Sequence, residues 1–171
     1  MKTKILHWKN EKALDSAKKV ILNGGILVYP TDTIYGFGVN ALNLEAINNL
    51  NLVKNRQGPM SVIIESKEKA SSWVKLPNHE IKSALKYLKA QTTIIFPVKQ
   101  NIVENKILGP GNTLGIRFSK HPFCISLANY CSVLITTTSV NRTGEEPKTN
   151  VDEILNSFKN EIGSTICSST S

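Results

Sequence analysis

The stretch Gly24-Gly25-Ile26-Leu27-Val28-Tyr29-Pro30-Thr31-Asp32-Thr33-Ile34-Tyr35-Gly36-Phe37-Gly38 constrains this chain more than any other. The run 26–29 is β-branched and aromatic with no polar alternation, which predicts a strand buried on both faces. Pro30 has no N–H for a sheet ladder, so the strand stops there or becomes an edge. The residues after Pro30 form a loop at a strand end, where α/β proteins place ligand contacts. Thr31, Asp32, Thr33 and Tyr35 crowd hydrogen-bonding capacity into five positions. Gly36 and Gly38 allow a close backbone approach. The competing reading is a tight turn with polar decoration.

The rest of the chain alternates helical and strand patterns around that stretch. Residues 13–21 are apolar at helical spacing, with Asn10 as the expected N-cap and Asn23-Gly24-Gly25 as the stop. Asn43 caps a second helix with Ala46, Ile47, Leu50 and Val53 on one face. Strands are predicted over 61–64, 92–96, 113–118, 132–137 and 164–167. Further helices are predicted over 67–74 and 78–88, from His121-Pro122 onward, and over 152–158. Gly109-Pro110-Gly111-Asn112 is turn chemistry, and 139–149 a long polar loop. No repeat or linker interrupts the pattern. The expectation is α/β: one domain over residues 1–171, with a twisted mixed β-sheet, helices packed on it and a concave basic site.

Composition narrows the functional classes. The 171 residues suit one sizeable core, and 40% hydrophobic with 20% charged residues argues against disorder. No apolar run approaches membrane-spanning length and the N-terminus lacks an apolar h-region, so a soluble, cytoplasmic protein without membrane contact is expected. Cys124, Cys131 and Cys167 form no C-x-x-C pair and are expected reduced and half-buried; His7, His79 and His121 are scattered, so no side-chain metal site is expected. The formal net charge of +8 favours polyanionic partners, but the lysines are spread out instead of forming one basic arm.

Three polar stations stand beside strand ends. The first is the loop 31–35. The second is Lys54-Asn55-Arg56, where the two cations either turn together toward an anion as the helix unwinds into Gln57-Gly58-Pro59, or complement the negative helix end. The third is Thr136-Thr137-Thr138-Ser139-Val140-Asn141-Arg142-Thr143-Gly144, which either cradles phosphate oxygens or is a polar surface loop. Arg117 lies in an otherwise apolar strand and needs a partner, either a substrate carboxylate or an internal acid. No Walker A sequence, G-x-G-x-x-G or nucleophile–base arrangement is present. The residues alone give an anion-binding α/β domain and no reaction type.

In this order, the stations resemble the YrdC/Sua5 family of threonylcarbamoyl-AMP synthases. The family loop P-T-D/E-T-x-Y-G-L/F-G matches residues 30–38. Its K-x-R matches Lys54-Asn55-Arg56, and its T-V/L-G-V/I-R with a following H-P matches 113–117 and His121-Pro122. Its S-x-N-x-S/T-G matches 139–144, and its S-T-I/V matches Ser164-Thr165-Ile166. The resemblance implies that L-threonine, bicarbonate and ATP give threonylcarbamoyl-adenylate and pyrophosphate, for t6A modification of tRNA. By the same carry-over Thr33, Arg117, Thr137 and Ser164 hold threonine, with Arg117 on its carboxylate. Arg56, Thr113, Ser139 and Asn141 contact ATP, and Lys54 steadies phosphate or the carbamate. Lys54 and Arg56 are then the catalytic pair. Mg²⁺ accompanies the triphosphate, and proteins of a downstream t6A transferase are the implied partners.

The chain departs from the family pattern in three places. The segment after Arg56 runs about two positions short and lacks a second lysine. The usual P-G-P-x-T keeps only Thr93. The chain stops five residues after Ile166, so an ATP-closing segment looks shortened and no second Sua5-type domain is expected. The alternative expectation is a non-catalytic module binding tRNA or double-stranded RNA.

Overall fold

A computed structural model describes residues 3–162 and 165–168. The elements run β1 (Lys4–His7), α1 (Ala13–Leu22), β2 (Leu27–Tyr29), β3 (Gly36–Gly38), α2 (Leu44–Lys54), β4 (Ser61–Ile64), α3 (Lys67–Trp73), α4 (Asn78–Leu85), β5 (Thr92–Pro97), β6 (Thr113–Phe118), α5 (Pro122–Tyr130), β7 (Ile135–Ser139), α6 (Val151–Phe158) and β8 (Thr165–Ser168). A 3₁₀ turn, Asn105–Ile107, precedes β6. The strands form one mixed sheet in the order β1-β8-β2-β3-β7-β4-β6-β5. β8 pairs parallel with β1 and β2, and β4 parallel with β6; the other pairings are antiparallel. This is the expected α/β class with helices on a mixed sheet.

The strand alternation divides the core in two. Val62, Ile64, Leu114, Ile116 and Phe37 face α2, α3, α4 and α6, where Ile47, Leu50, Ala70, Trp73, Ile81, Ile154 and Phe158 pack against them. The opposite pleats, Leu27, Tyr29, Ile63 and Ile135, face α1 and α5 through Ala13, Ala17, Ile21, Phe123 and Leu127. On this second face the helices stop short of β5. Ile95 there is 70% exposed, and Ser61, Thr93, Arg117 and Thr137 stand around an open hollow. The missing roof is what makes the site.

Several expectations shift. β2 is buried at every position and ends before Pro30, as the sequence predicts. β3 falls where the sequence predicts a loop, because a glycine-flanked Phe37 can insert between β2 and β7. A Cβ at Gly38 would meet Tyr29 Cε1 at 2.8 Å and Ile135 Cγ2 at 2.9 Å, so only glycine fits that crossing. β1 has no counterpart in the sequence reading: its residues are largely polar or exposed, and pairing with β8 creates it. β7 begins at Ile135 and continues through Ser139, three residues later than predicted, since antiparallel pairing with β3 extends it.

Asn10 does not cap α1. Its side chain takes the Lys12 N–H at 2.9 Å in the turn before the helix. Asn43 does cap α2, accepting from Ala46 N at 3.0 Å. Pro97 sits inside β5, tolerated because β5 is an edge strand. The three cysteines are free and buried, not half-buried.

Candidate functional site

A cavity of about 290 Å³ opens on the unroofed face. Thr31, Thr33 and Tyr35 line it from the loop after β2. Ser61 enters from β4, Thr93 from β5, Arg117 from β6, and Thr137, Thr138 and Ser139 from β7. Segments distant in the chain meet because β7 lies between β3 and β4, which brings Ser61 opposite Thr137 while Thr93 pairs with Arg117 across β5–β6. Glycines keep the hollow open. A Cβ at Gly115 would stand 2.5 Å from Ser61 Oγ and 3.3 Å from Thr93 Cγ2.

Asp32 organises the wall. Its Oδ1 accepts from Arg117 Nη2 at 3.1 Å and from Ser119 Oγ at 3.0 Å. Its Oδ2 accepts from Gln91 N at 3.0 Å and Lys120 N at 3.4 Å. Burial pushes this carboxyl up, but the Ser119 hydroxyl, the two backbone N–H groups and the Arg117 charge outweigh it, and the net shift is below the ordinary value. The internal acid is therefore the partner that Arg117 needs in its strand. Arg117 Nη2 also donates to Thr33 Oγ1 at 3.1 Å. Nη1 and Nε make no hydrogen bond among the described residues. Thr31 Oγ1 donates to Ile34 O at 2.7 Å and accepts from Thr33 N at 3.1 Å, closing the loop on itself.

The loop after β7 is held from behind. Lys54 Nζ donates to Ser139 O at 2.6 Å, Asn141 O at 2.8 Å and Asn141 Oδ1 at 2.9 Å, which uses all three of its protons. It is 2% exposed. Burial, with the charge of Arg56 adding to it, pulls this ammonium down to about 8. Asn141 also accepts from Ser139 Oγ at 2.5 Å and donates Nδ2 to Glu145 O at 2.8 Å. Arg142 ties the same loop to Val53 O at 2.7 Å and pairs with Glu161.

Thr33, Arg117, Thr137 and Ser139 thus share the cavity. Lys54 and Asn141 stand directly behind Ser139. Thr113 is at the start of β6, its hydroxyl donating to Pro110 O at 3.0 Å in the turn. Arg56 diverges from Lys54, because Asn55 adopts a left-handed conformation at φ 49° and ends the helix. Its Nη2 donates to Pro59 O at 2.9 Å, and it lines a separate hollow beside α2. Ser164 lies outside the described residues. Asp32 and Thr138 fall in the first and third polar stations, but the sequence does not pair Asp32 with Arg117, and it does not single out Ser61 or Thr93 as lining. A polar residue at the head of an apolar strand run, as Ser61 and Thr93 are, was the available signal.

The fold and the cavity define an α/β protein with a hydroxyl-rich, arginine-bearing hollow on one face of its sheet. Residues 19–169 match the Sua5_yciO_yrdC family, described as "Telomere recombination". The chain belongs to this YrdC/Sua5 family. It is 32% identical over 151 residues to the threonylcarbamoyl-AMP synthase of Hydrogenovibrio crunogenus, covering 85% of this chain and 81% of that one. It is 34% identical over 148 residues to a putative threonylcarbamoyl-AMP synthase of Methanocaldococcus jannaschii, covering 85% and 69%.

In fold it is similar to P. abyssi Sua5 complexed with L-threonine (TM-score 0.84, 23% identity), covering 98% of this chain and 50% of that one, so it spans half the length of that protein. It is also similar to E. coli YciO, with a TM-score of 0.83, 19% identity, and coverage of 96% and 82%.

Proposed function

We propose that this protein is an L-threonylcarbamoyladenylate synthase, making threonylcarbamoyl-AMP and pyrophosphate from L-threonine, bicarbonate and ATP for t6A modification of tRNA. The observation that carries the reading is the meeting of the 31–35 loop, Arg117 and the 137–139 segment around one hollow of amino-acid scale. Family membership and the names of the two relatives support it.

In this reading the amine of threonine takes up bicarbonate carbon with loss of water. A carbamate oxygen then attacks the α-phosphorus of ATP, and the bond to pyrophosphate breaks. Such a reaction needs alignment and charge neutralisation more than a side-chain nucleophile. Arg117, through Nη1 and Nε, receives the threonine carboxylate, while Thr33, Thr137 and Ser164 take its other polar atoms. Ser139 faces the nucleotide from the cavity wall; Thr113 and Arg56 lie outside that lining and are assigned to ATP by the family motifs alone, and Mg²⁺ enters with ATP as part of the substrate. Lys54 serves by holding 139–141 in shape; its three donors are engaged there, and Asn141 works with it.

The test is pyrophosphate release by the purified protein with bicarbonate and ATP, with and without L-threonine. Release that depends on threonine is expected; release that ignores threonine, or none from folded protein, contradicts the assignment. The +8 charge favours a second reading, direct binding of tRNA or double-stranded RNA. Salt-sensitive RNA binding without threonine-dependent chemistry selects it.

A further inference from the structure

His121-Pro122 is the motif that the proposed chemistry leaves without a role. The His121 ring caps α5: its Nδ1 accepts the Phe123 N–H at 3.1 Å, and Pro122 fills the first helical position, where no N–H is needed. Nδ1 therefore carries no proton, and the neutral ring holds its hydrogen on Nε2. The backbone of the same residue is tied to the Arg117 cavity. His121 N donates to Ser119 Oγ at 3.2 Å, and Ser119 Oγ donates to Asp32 Oδ1 at 3.0 Å. That oxygen also takes Arg117 Nη2 at 3.1 Å. One cap thus fixes the end of the segment that wraps Asp32.

The ring is half-buried and edge-on to Trp8, with centroids 5.1 Å apart. The titratable groups around it come from four places. His7 and Lys9 stand against Trp8 in the turn after β1. Asp32 comes from the loop after β2, and Arg117 and Lys120 from the segment before the helix. Cys124, a thiol that burial keeps neutral, comes from α5 itself. Burial lowers the basicity of the imidazole, Asp32 opposes it, and burial wins, so the ring is neutral at pH 7. A proton on Nδ1 turns the acceptor into a donor. It can no longer take the Phe123 N–H, and its charge meets the positive end of α5. Asp32, whose charge reaches the ring, is an acceptor open to it, in competition with Ser119 and Arg117.

We infer that His121 is a positioning residue for the Arg117 cavity: its neutral ring holds the 117–121 segment around Asp32 and so aims the guanidinium, and its protonation loosens that hold. Threonine affinity then falls in mildly acidic solution. The threonine readout rests on the synthase reading; the relay from His121 to Arg117 does not.

The experiment takes the ¹⁵N-labelled full chain from about pH 7 to about pH 5, where imidazoles titrate. Asp32 stays ionised throughout, since its own pKa is below the ordinary carboxylate value. Without ligand, the ring nitrogens of His121 are expected to show an unprotonated Nδ1 at pH 7. The Arg117 Nε–H and Ser119 amide resonances are expected to move along the same titration curve as the ring. By calorimetry, threonine affinity of the wild type is expected to fall about fivefold or more over that range. His121→Asn keeps a capping oxygen that does not titrate, so it should retain most of the affinity at pH 7 and show no such fall. His121→Ala, with no cap, should bind more weakly than His121→Asn at pH 7. A flat wild-type profile, the same fall in His121→Asn, or an Arg117 resonance that ignores the ring's titration overturns the inference. Folded protein that binds no threonine at any pH contradicts the synthase reading, and the ligand-free titration then decides the relay alone.

Discussion

Asp32 and Arg117 carry most of the logic of the site. Asp32 accepts four hydrogen bonds from two separate stretches of chain, Gln91 and 117–120, and aims the guanidinium along the cavity wall. Because its folded pKa is depressed, its contribution to stability is present above about pH 4 and is lost as pH falls through the lower folded value. In the proposed reading, Arg117→Ala removes the charged donors that face threonine. Threonine affinity is expected to fall roughly 10- to 100-fold, the equivalent of about 1.5–3 kcal/mol for hydrogen bonds to a charged group; calorimetry giving an unchanged Kd removes the assignment.

Gly115 offers a test from the opposite side. Gly115→Ala sets one methyl against the Ser61 hydroxyl, which can rotate aside, so the fold, read by circular dichroism, should persist while threonine affinity drops about tenfold. At this scale the sequence displayed the need for a partner to Arg117 and the crowding of polar groups at 31–35. It did not display that Asp32 and Arg117 satisfy each other, because 85 residues separate them and only strand order brings them together.

Among the elements, the loop after β7 is shaped by α2. Lys54 reaches from the last turn of the helix into the backbone of 139–141 and acts as an internal tie, so its role is positioning. Lys54→Met leaves three acceptors unserved and is expected to cost about 1–3 kcal/mol at pH 7, read by urea denaturation. The pH dependence has a definite sign. The folded-state pKa, near 8, is below the unfolded value, so the folded protein releases this proton first. The stability contributed by Lys54 therefore rises between pH 8 and about 10.4. The gap between wild type and Lys54→Met should widen over that window, and a flat gap contradicts the burial account.

Most elements were legible from period and caps, since long apolar stripes such as that of α2 depend little on distant context. β1 and β3 were not. Both are short, one polar and one glycine-rich, and only their partners make them strands. The sequence paired Lys54 with Arg56 by spacing, but after the left-handed turn at Asn55 Lys54 is buried against 139–141 while Arg56 lines a hollow beside α2.

At the scale of the whole molecule, the cavity follows from incomplete coverage. One face of the sheet is covered by α2, α3, α4 and α6, while α1 and α5 leave the β4–β6–β5 corner of the other open. No helix among the described residues is long and apolar enough to cross a membrane. The proposed function rests on threonine occupying this open corner. Titrating L-threonine into the ¹⁵N-labelled protein and mapping the resonances that move puts that placement to the test. Shifts gathered at Thr33, Arg117, Thr137 and Ser139 are expected; saturating shifts on another surface, or none from folded protein, would contradict it.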